Sequence, residues 1–148
     1  MASWNEILDR FGHMPSQYDL VRREYLKQLS DYTGRNTILY YSAWLQKSLM
    51  ANGTFDFGIN DNDKTGFMTC IYQLDKAKGL DLILHTPGGD ISATESLVVF
   101  LRSIFGKDIR VIIPQMAMSA GTMISCCAKE IIMGKHSNLG PIDPQYGM

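Results

Sequence analysis

An α/β fold built on a parallel sheet is predicted by three observations. Short apolar runs, Leu80–His85, Ile109–Ile113 and Glu130–Met133, alternate with segments of helical periodicity. Strands alternating with helices at that spacing are joined by right-handed crossovers, which makes their sheet parallel. Finally, two small-residue turns, Thr86-Pro87-Gly88-Gly89-Asp90 and Met118-Ser119-Ala120-Gly121-Thr122, stand where a strand hands over to a helix. With 148 residues and 45% hydrophobic content the chain supports one domain with its own core.

The elements follow in order. After Pro15, residues Tyr18, Val21, Tyr25, Leu29 and Tyr32 recur at helical intervals and continue an earlier stripe of Ile7, Leu8 and Phe11; Gly34 is a natural stop. Thr37-Ile38-Leu39-Tyr40-Tyr41 is β-branched and aromatic, hence a strand. Residues 52–66, rich in Gly, Asn and Asp, read as a loop. A helix is expected over 67–78, ending at Gly79, then the strand Leu80–His85. Ile91–Phe105 places Leu97, Val98, Leu101, Ile104 and Phe105 on one helical face, and Ser92 with Glu95 could form a capping box. The strand Ile109–Ile113, a small-residue helix over 120–128 and the strand Glu130–Met133 complete the pattern.

A net charge of −1 supplies no basic field for nucleic acid or an anionic membrane surface, so neither is expected as a partner. Cys126 and Cys127 are adjacent and Cys70 is distant, which is neither a disulfide framework nor a CxxC metal spacing; a reducing cytoplasm fits. No apolar stretch of signal or membrane-span length opens the chain. Asp61-Asn62-Asp63 followed by Gly66 has a faint look of a calcium loop, but Tyr72 occupies the position of the bidentate Glu, and the stretch reads as solvated. Met116, Met118 and Met123 read as core filler ahead of a pocket lining. No metal or other cofactor is implied.

The two turns carry the chemistry. Gly88 and Gly89 leave a strand-to-helix backbone uncovered by any Cβ, so its N–H groups are open to a developing negative charge. Ser119 opens the next helix among small neighbours, Ala117, Ala120 and Gly121, where a substrate carbonyl could approach. Pro-Gly-Gly alone is a tight turn and a serine alone is an N-cap. Neighbouring crossovers bring both to one sheet edge, where they form an oxyanion hole and a nucleophile, with the Ala120 N–H as a further donor.

Three ordered motifs, His85-Thr86-Pro87-Gly88-Gly89-Asp90, Ala117-Met118-Ser119-Ala120-Gly121-Thr122 and the run Gly134-Lys135-His136-Ser137-Asn138-Leu139-Gly140-Pro141-Ile142-Asp143-Pro144-Gln145, resemble the serine dehydrogenase proteinase family. That family is related to the Clp protease proteolytic subunit and to signal peptide peptidase A. Arg22-Arg23-Glu24-Tyr25-Leu26, Gly34-Arg35-Asn36 and Tyr40-Tyr41-Ser42 extend the resemblance over nearly the whole chain. It implies a Clp/crotonase-type spiral of ββα units preceded by N-terminal helices: a helical segment over 1–34 and a serine peptidase domain over 35–148. It further implies a peptide or protein substrate and a homo-oligomer. Ser119 falls at the nucleophile position and Gly88 and Gly89 at the oxyanion turn.

The base is not settled by the residues. A serine hydroxyl needs one within hydrogen-bond reach. The histidine of the Clp subunit would fall near Asp143, where this chain has none, and the lysine of signal peptide peptidase A would fall beyond Met148. A helix of about ten residues advances ~15 Å and a returning strand covers a similar distance, so the segment from Lys135 to Asp143 is expected back near Ser119. His136 and Asp143 are both candidates. The family's order of serine, aspartate and histidine suits Asp143 as the acid with its histidine still to come, so the domain is expected to be incomplete at its C-terminus. His85 reads as a structural hydrogen-bonding residue ahead of a catalytic one. Besides a serine peptidase, the fold admits a non-catalytic assembly subunit and a crotonase-like acyl-CoA enzyme.

Overall fold

The computed structural model describes residues 17–47 and 57–143. Helix α1 (Gln17–Thr33) is held on its outer face by the pairs Arg22–Asp19 (2.7 Å) and Lys27–Asp31 (2.6 Å), and Gly34 closes it at φ 68°, donating to the Ser30 carbonyl (2.8 Å). Val21 is buried, but Tyr32 is 90% exposed, so the expected apolar stripe does not reach the last turn. Ile7, Leu8 and Phe11 lie outside the described residues.

Strand β1 (Asn36–Tyr41) leads through a single-turn helix α2 (Trp44–Lys47) towards α3 (Asp61–Ile71). The expected loop over 52–66 is corrected here, since α3 begins inside it. Asn60 caps the helix by accepting from the Asn62 N–H (3.0 Å), while the Asn60 N–H donates to the Asp63 carboxylate (2.9 Å). The Asn and Asp residues that suggested a loop are a capping box. The helix expected to run to residue 78 instead stops at Ile71, and a 3₁₀ turn (Lys76–Lys78) capped by Asp75 replaces its end.

Strands β2 (Leu80–His85), β3 (Ile109–Ile113) and β5 (Glu130–Met133) and helix α4 (Ile91–Phe105) have the bounds the sequence predicts; between β3 and β5 lie a two-residue strand β4 (Met116–Ala117) and helix α5 (Ala120–Cys126), two residues shorter than expected. The cap of α4 is Asp90 and not Ser92, with the Ala93 N–H on the Asp90 carboxylate (2.7 Å). A second two-residue strand, β6 (Asn138–Leu139), follows β5.

The main sheet runs β1-β2-β3-β5, every pair parallel, in the register Ile38↔Leu82↔Val111↔Ile131. One face is the core: Ile38, Leu80, Leu82, Leu84, Val111 and Ile113 pack against Phe67 and Ile71 of α3, Leu97, Leu101 and Phe105 of α4, and Ile124 of α5. Val98 and Ile104 border that cluster, as the helical face predicts. A second, short layer repeats the order of the first. Ile59 bridges Gly89, Thr86 bridges Ala117, and β4 pairs with β6, all parallel. Each unit thus gives a strand to the main sheet, a short strand to the second layer and a helix, which is the Clp/crotonase-like spiral.

At the N-terminal edge of the sheet Asp81 is fully buried between two arginines, accepting from Arg35 Nε (2.6 Å) and from Arg110 Nη2 (2.6 Å). Burial works to raise its pKa, but the hydrogen bonds from Arg110 and then Arg35 outweigh that and hold the carboxyl below its ordinary value. Among the described residues no helix is long and apolar enough to cross a membrane.

Candidate active site

The site forms where the two layers meet, at the C-terminal ends of β2 and β3. The Thr86 N–H donates to Met116 O (3.2 Å) and the Met118 N–H to Thr86 O (3.0 Å), so the segment leaving β2 lies beside the segment leading to Ser119. On its other edge runs Ile59, whose N–H donates to Gly88 O (2.8 Å) and whose carbonyl accepts the Asp90 N–H (2.8 Å). The turn is therefore pinned from both sides.

Pinning decides which glycine presents a donor. The Gly88 N–H is committed to Thr86 Oγ1 (3.2 Å). Because a trans peptide points its C=O and N–H in opposite directions, and Gly88 O faces Ile59, the Gly89 N–H faces away from Ile59, towards residues 118–120. Among the described residues it has no acceptor, and neither has the N–H of Ala120, the first residue of α5.

Ser119 stands at φ 48°, ψ −107°, and is the one non-glycine residue at positive φ among those described. A β-carbon in that region is strained, and a sharp strand-to-helix turn of this kind raises a side chain clear of its neighbours. Although Ser119 occupies the N-cap position of α5, its side chain makes no capping hydrogen bond. Its hydroxyl leaves the helix N–H groups alone, so the side chain does not act as a cap. The residue is half-buried.

The third segment returns as expected. Ser137 Oγ donates to Ile113 O (2.7 Å), β6 pairs with β4 in the register Met116↔Asn138 and Ala117↔Leu139, and Thr122 Oγ1 donates to Gly140 O (2.7 Å). Continued in both directions, that register sets His136 level with Pro114 and Pro141 level with Ser119. His136 therefore stands on the side of β6 away from Ser119, in the turn before it, whereas Asp143 follows β6 on the side of Ser119. Both are exposed, and no hydrogen bond links either to Ser119.

His85, the last residue of β2, is buried with its ring stacked on Tyr41 (centroids 5.1 Å apart), and among the described residues neither ring nitrogen has a hydrogen-bond partner. The hydrogen-bonding role expected of it is not seen among those residues. Asp61 and Asp63, in the stretch resembling a calcium loop, belong to the first turn of α3. Among the described residues no three His, Cys, Asp or Glu side chains are grouped to hold a metal ion. A cavity of about 500 Å³ lined by Arg102, Lys107, Asp108 and Lys129 opens at the opposite edge of the sheet from Ser119.

The sequence family described as ClpP-like SDH-type serine proteinase matches residues 12–148. The chain belongs to this family. Two proteins of Methanocaldococcus jannaschii are similar to it. One, named uncharacterized protein MJ0137, is 36% identical over 133 residues, covering 88% of this chain and 45% of that protein. The other, uncharacterized protein MJ1495, is 48% identical over 68 residues, covering 46% of this chain and 23% of that protein. The chain spans less than half the length of these curated relatives.

Sequence reasoning missed two contributors. Thr86 was read only as part of a motif, yet its hydroxyl decides that Gly88 is not the free donor. Ile59 lay in a stretch read as loop; an isolated apolar residue between Gly58 and Asn60 was the available signal.

Proposed function

We propose that this chain carries the nucleophile and oxyanion hole of a serine peptidase acting on peptide bonds. The carrying observation is Ser119 itself, strained at positive φ, with its hydroxyl and the neighbouring Gly89 and Ala120 N–H groups making no hydrogen bond among the described residues. In this reading Ser119 Oγ attacks the substrate carbonyl carbon, and its proton passes to a base. The carbonyl oxygen becomes an oxyanion received by the Gly89 and Ala120 N–H groups. Collapse breaks the C–N bond and the proton leaves with the amine; water then releases the acyl group from Ser119 by the same steps, restoring the hydroxyl.

Of the two acid–base candidates, the strand register favours Asp143 over His136. A serine peptidase triad places a carboxylate behind the base, where it orients the base and does not itself take the serine proton. Asp143 is accordingly assigned the role of orienting the base, the third member of a triad.

One observation favours the competing reading of a non-catalytic assembly subunit: no described residue accepts a hydrogen bond from Ser119 Oγ. A serine-directed phosphonate separates the two. Labelling of Ser119, located by mass spectrometry, together with peptide hydrolysis that falls about 10⁴-fold or more in Ser119→Ala, is the expected result. A folded wild-type protein that is neither labelled nor hydrolytic, yet binds peptide, overturns the peptidase reading.

A further inference from the structure

We infer that Ile59 is a positioning residue for the oxyanion hole, acting through its backbone and not its side chain; this rests on the peptidase reading. The single donor of the Gly88-Gly89 turn that faces Ser119 is the Gly89 N–H, and its direction is set by the peptide plane it shares with Gly88 O. That plane is held by the Ile59 N–H on Gly88 O (2.8 Å), and the next plane by the Asp90 N–H on Ile59 O (2.8 Å). The Thr86 hydroxyl also donates to Gly88 O, at the longer distance of 3.3 Å; two glycines have no Cβ to restrain their dihedrals, so without Ile59 the plane keeps only that weaker restraint and can turn its N–H away from the substrate oxygen. Preorganisation is what makes an oxyanion donor effective, because a donor that must first reorient stabilises the transition state less.

The strap that carries Ile59 is fastened along its length. Ser42 Oγ donates to Phe57 O (2.9 Å), Asn60 is locked as the N-cap of α3, and the Ile59 side chain is 1% exposed in the core. Gly89 matches it closely: a Cβ there would collide with the Ile59 N and O atoms and stand 2.6 Å from Ile59 Cα. The absence of a side chain at residue 89 is thus a condition for the strap to lie against the turn. The Thr86 hydroxyl on the Gly88 N–H is the complementary restraint from within the turn.

The test compares Ile59→Pro, which removes the N–H, with Ile59→Ala, which also removes the buried side chain but keeps the N–H. Both are measured as kcat and KM for peptide hydrolysis, per folded molecule by circular dichroism. We expect kcat of the proline variant to lie about tenfold or more below that of the alanine variant, with KM within about threefold, the signature of an interaction made in the transition state. Should Ile59→Pro fail to fold, replacement of the Ile59 amide N–H by an ester oxygen, with the side chain kept, makes the same measurement against wild type and is expected to give the same kcat loss. Equal kcat for the proline and alanine variants, or an ester variant within twofold of wild type, overturns the assignment while leaving the peptidase reading intact. Wild type without Ser119-dependent hydrolysis overturns that reading, and this assignment with it.

Discussion

A methyl group on Gly88 would stand 3.0 Å from the Cβ of Ser119 and 3.1 Å from the carbonyl oxygen of Met118. The Gly88-Gly89 turn and the Ser119 turn therefore lie close together, with no room for a side chain at residue 88 unless Ser119 or Met118 gives way. Gly88 also stands at φ 113°, where a Cβ is strained.

Gly88→Ala is expected to lower kcat about tenfold or more by pushing Ser119 off its position, since displacements below 1 Å suffice for large rate losses. Gly66→Ala is its control: it lies in α3, has nothing within 4 Å of an added Cβ, and is expected to stabilise the protein by about 0.5–1 kcal/mol. Urea unfolding and steady-state kinetics on the two variants check both halves. Equal kcat for Gly88→Ala and wild type would show that the contact does not position Ser119.

How much of this was legible in the sequence follows from what each element depends on. Strands β2, β3 and β5 and helix α4 were readable to the residue because each is a continuous apolar run or a sustained 3.6-residue pattern. The start of α3 was not, because Asn60, Asp61 and Asp63 suit a loop and a helix cap equally. Strands β4 and β6 have two residues each, too few to show a period, yet they bring the segment around Gly140 against Met118. The close approach of the two turns was legible because it demands small residues. Which glycine donates was not, because that depends on a hydroxyl and on a bridge to a residue some thirty positions earlier in the chain. Nor does the sequence display the base, whose identity rests on side-chain proximity.

Strain at Ser119 separates stability from activity. Ser119 holds φ 48°, ψ −107° against a steric penalty of about 1–3 kcal/mol that glycine largely escapes. Ser119→Gly is expected to abolish phosphonate labelling and raise the unfolding free energy above that of Ser119→Ala by about 1 kcal/mol, the relief being partly offset by the greater freedom of glycine in the unfolded chain. Chemical denaturation of the two variants measures the difference. A glycine variant less stable than the alanine variant would mean that Ser119 is not strained in solution.

The two acid–base candidates are told apart by rate. With Pro141, not His136, level with Ser119, His136→Ala is expected to leave kcat/KM within about threefold of wild type, whereas Asp143→Asn is expected to lower it by about 10²-fold or more, the scale of a lost orienting carboxylate. Peptide hydrolysis by both variants is the measurement. The reverse ranking would require the segment after β6 to rearrange when substrate binds.

The last prediction concerns the edge of the sheet remote from Ser119. Asp81 is fully buried and is shared by Arg35 and Arg110, while Arg35 also donates to Asp108 (2.9 Å). Asp81→Asn keeps the shape but leaves two guanidinium groups, one 16% and one 25% exposed, without their common counter-charge. It is expected to destabilise the fold towards the lower end of the ~3–5 kcal/mol typical of a broken buried pair, because both arginines retain some solvent. The carboxyl is held below its ordinary value in the folded protein, so its contribution is complete above about pH 4, where the unfolded carboxyl is ionised as well. That contribution is lost as the pH falls through the lower folded value. Urea unfolding between pH 5 and 2 should therefore show the gap between wild type and Asp81→Asn constant at the upper end and closing towards the lower. With Ser119 at the opposite edge, kcat per folded molecule at neutral pH should be unaffected; a gap that persists at pH 2, or a fall in kcat without loss of folded protein, would contradict the role assigned to this cluster.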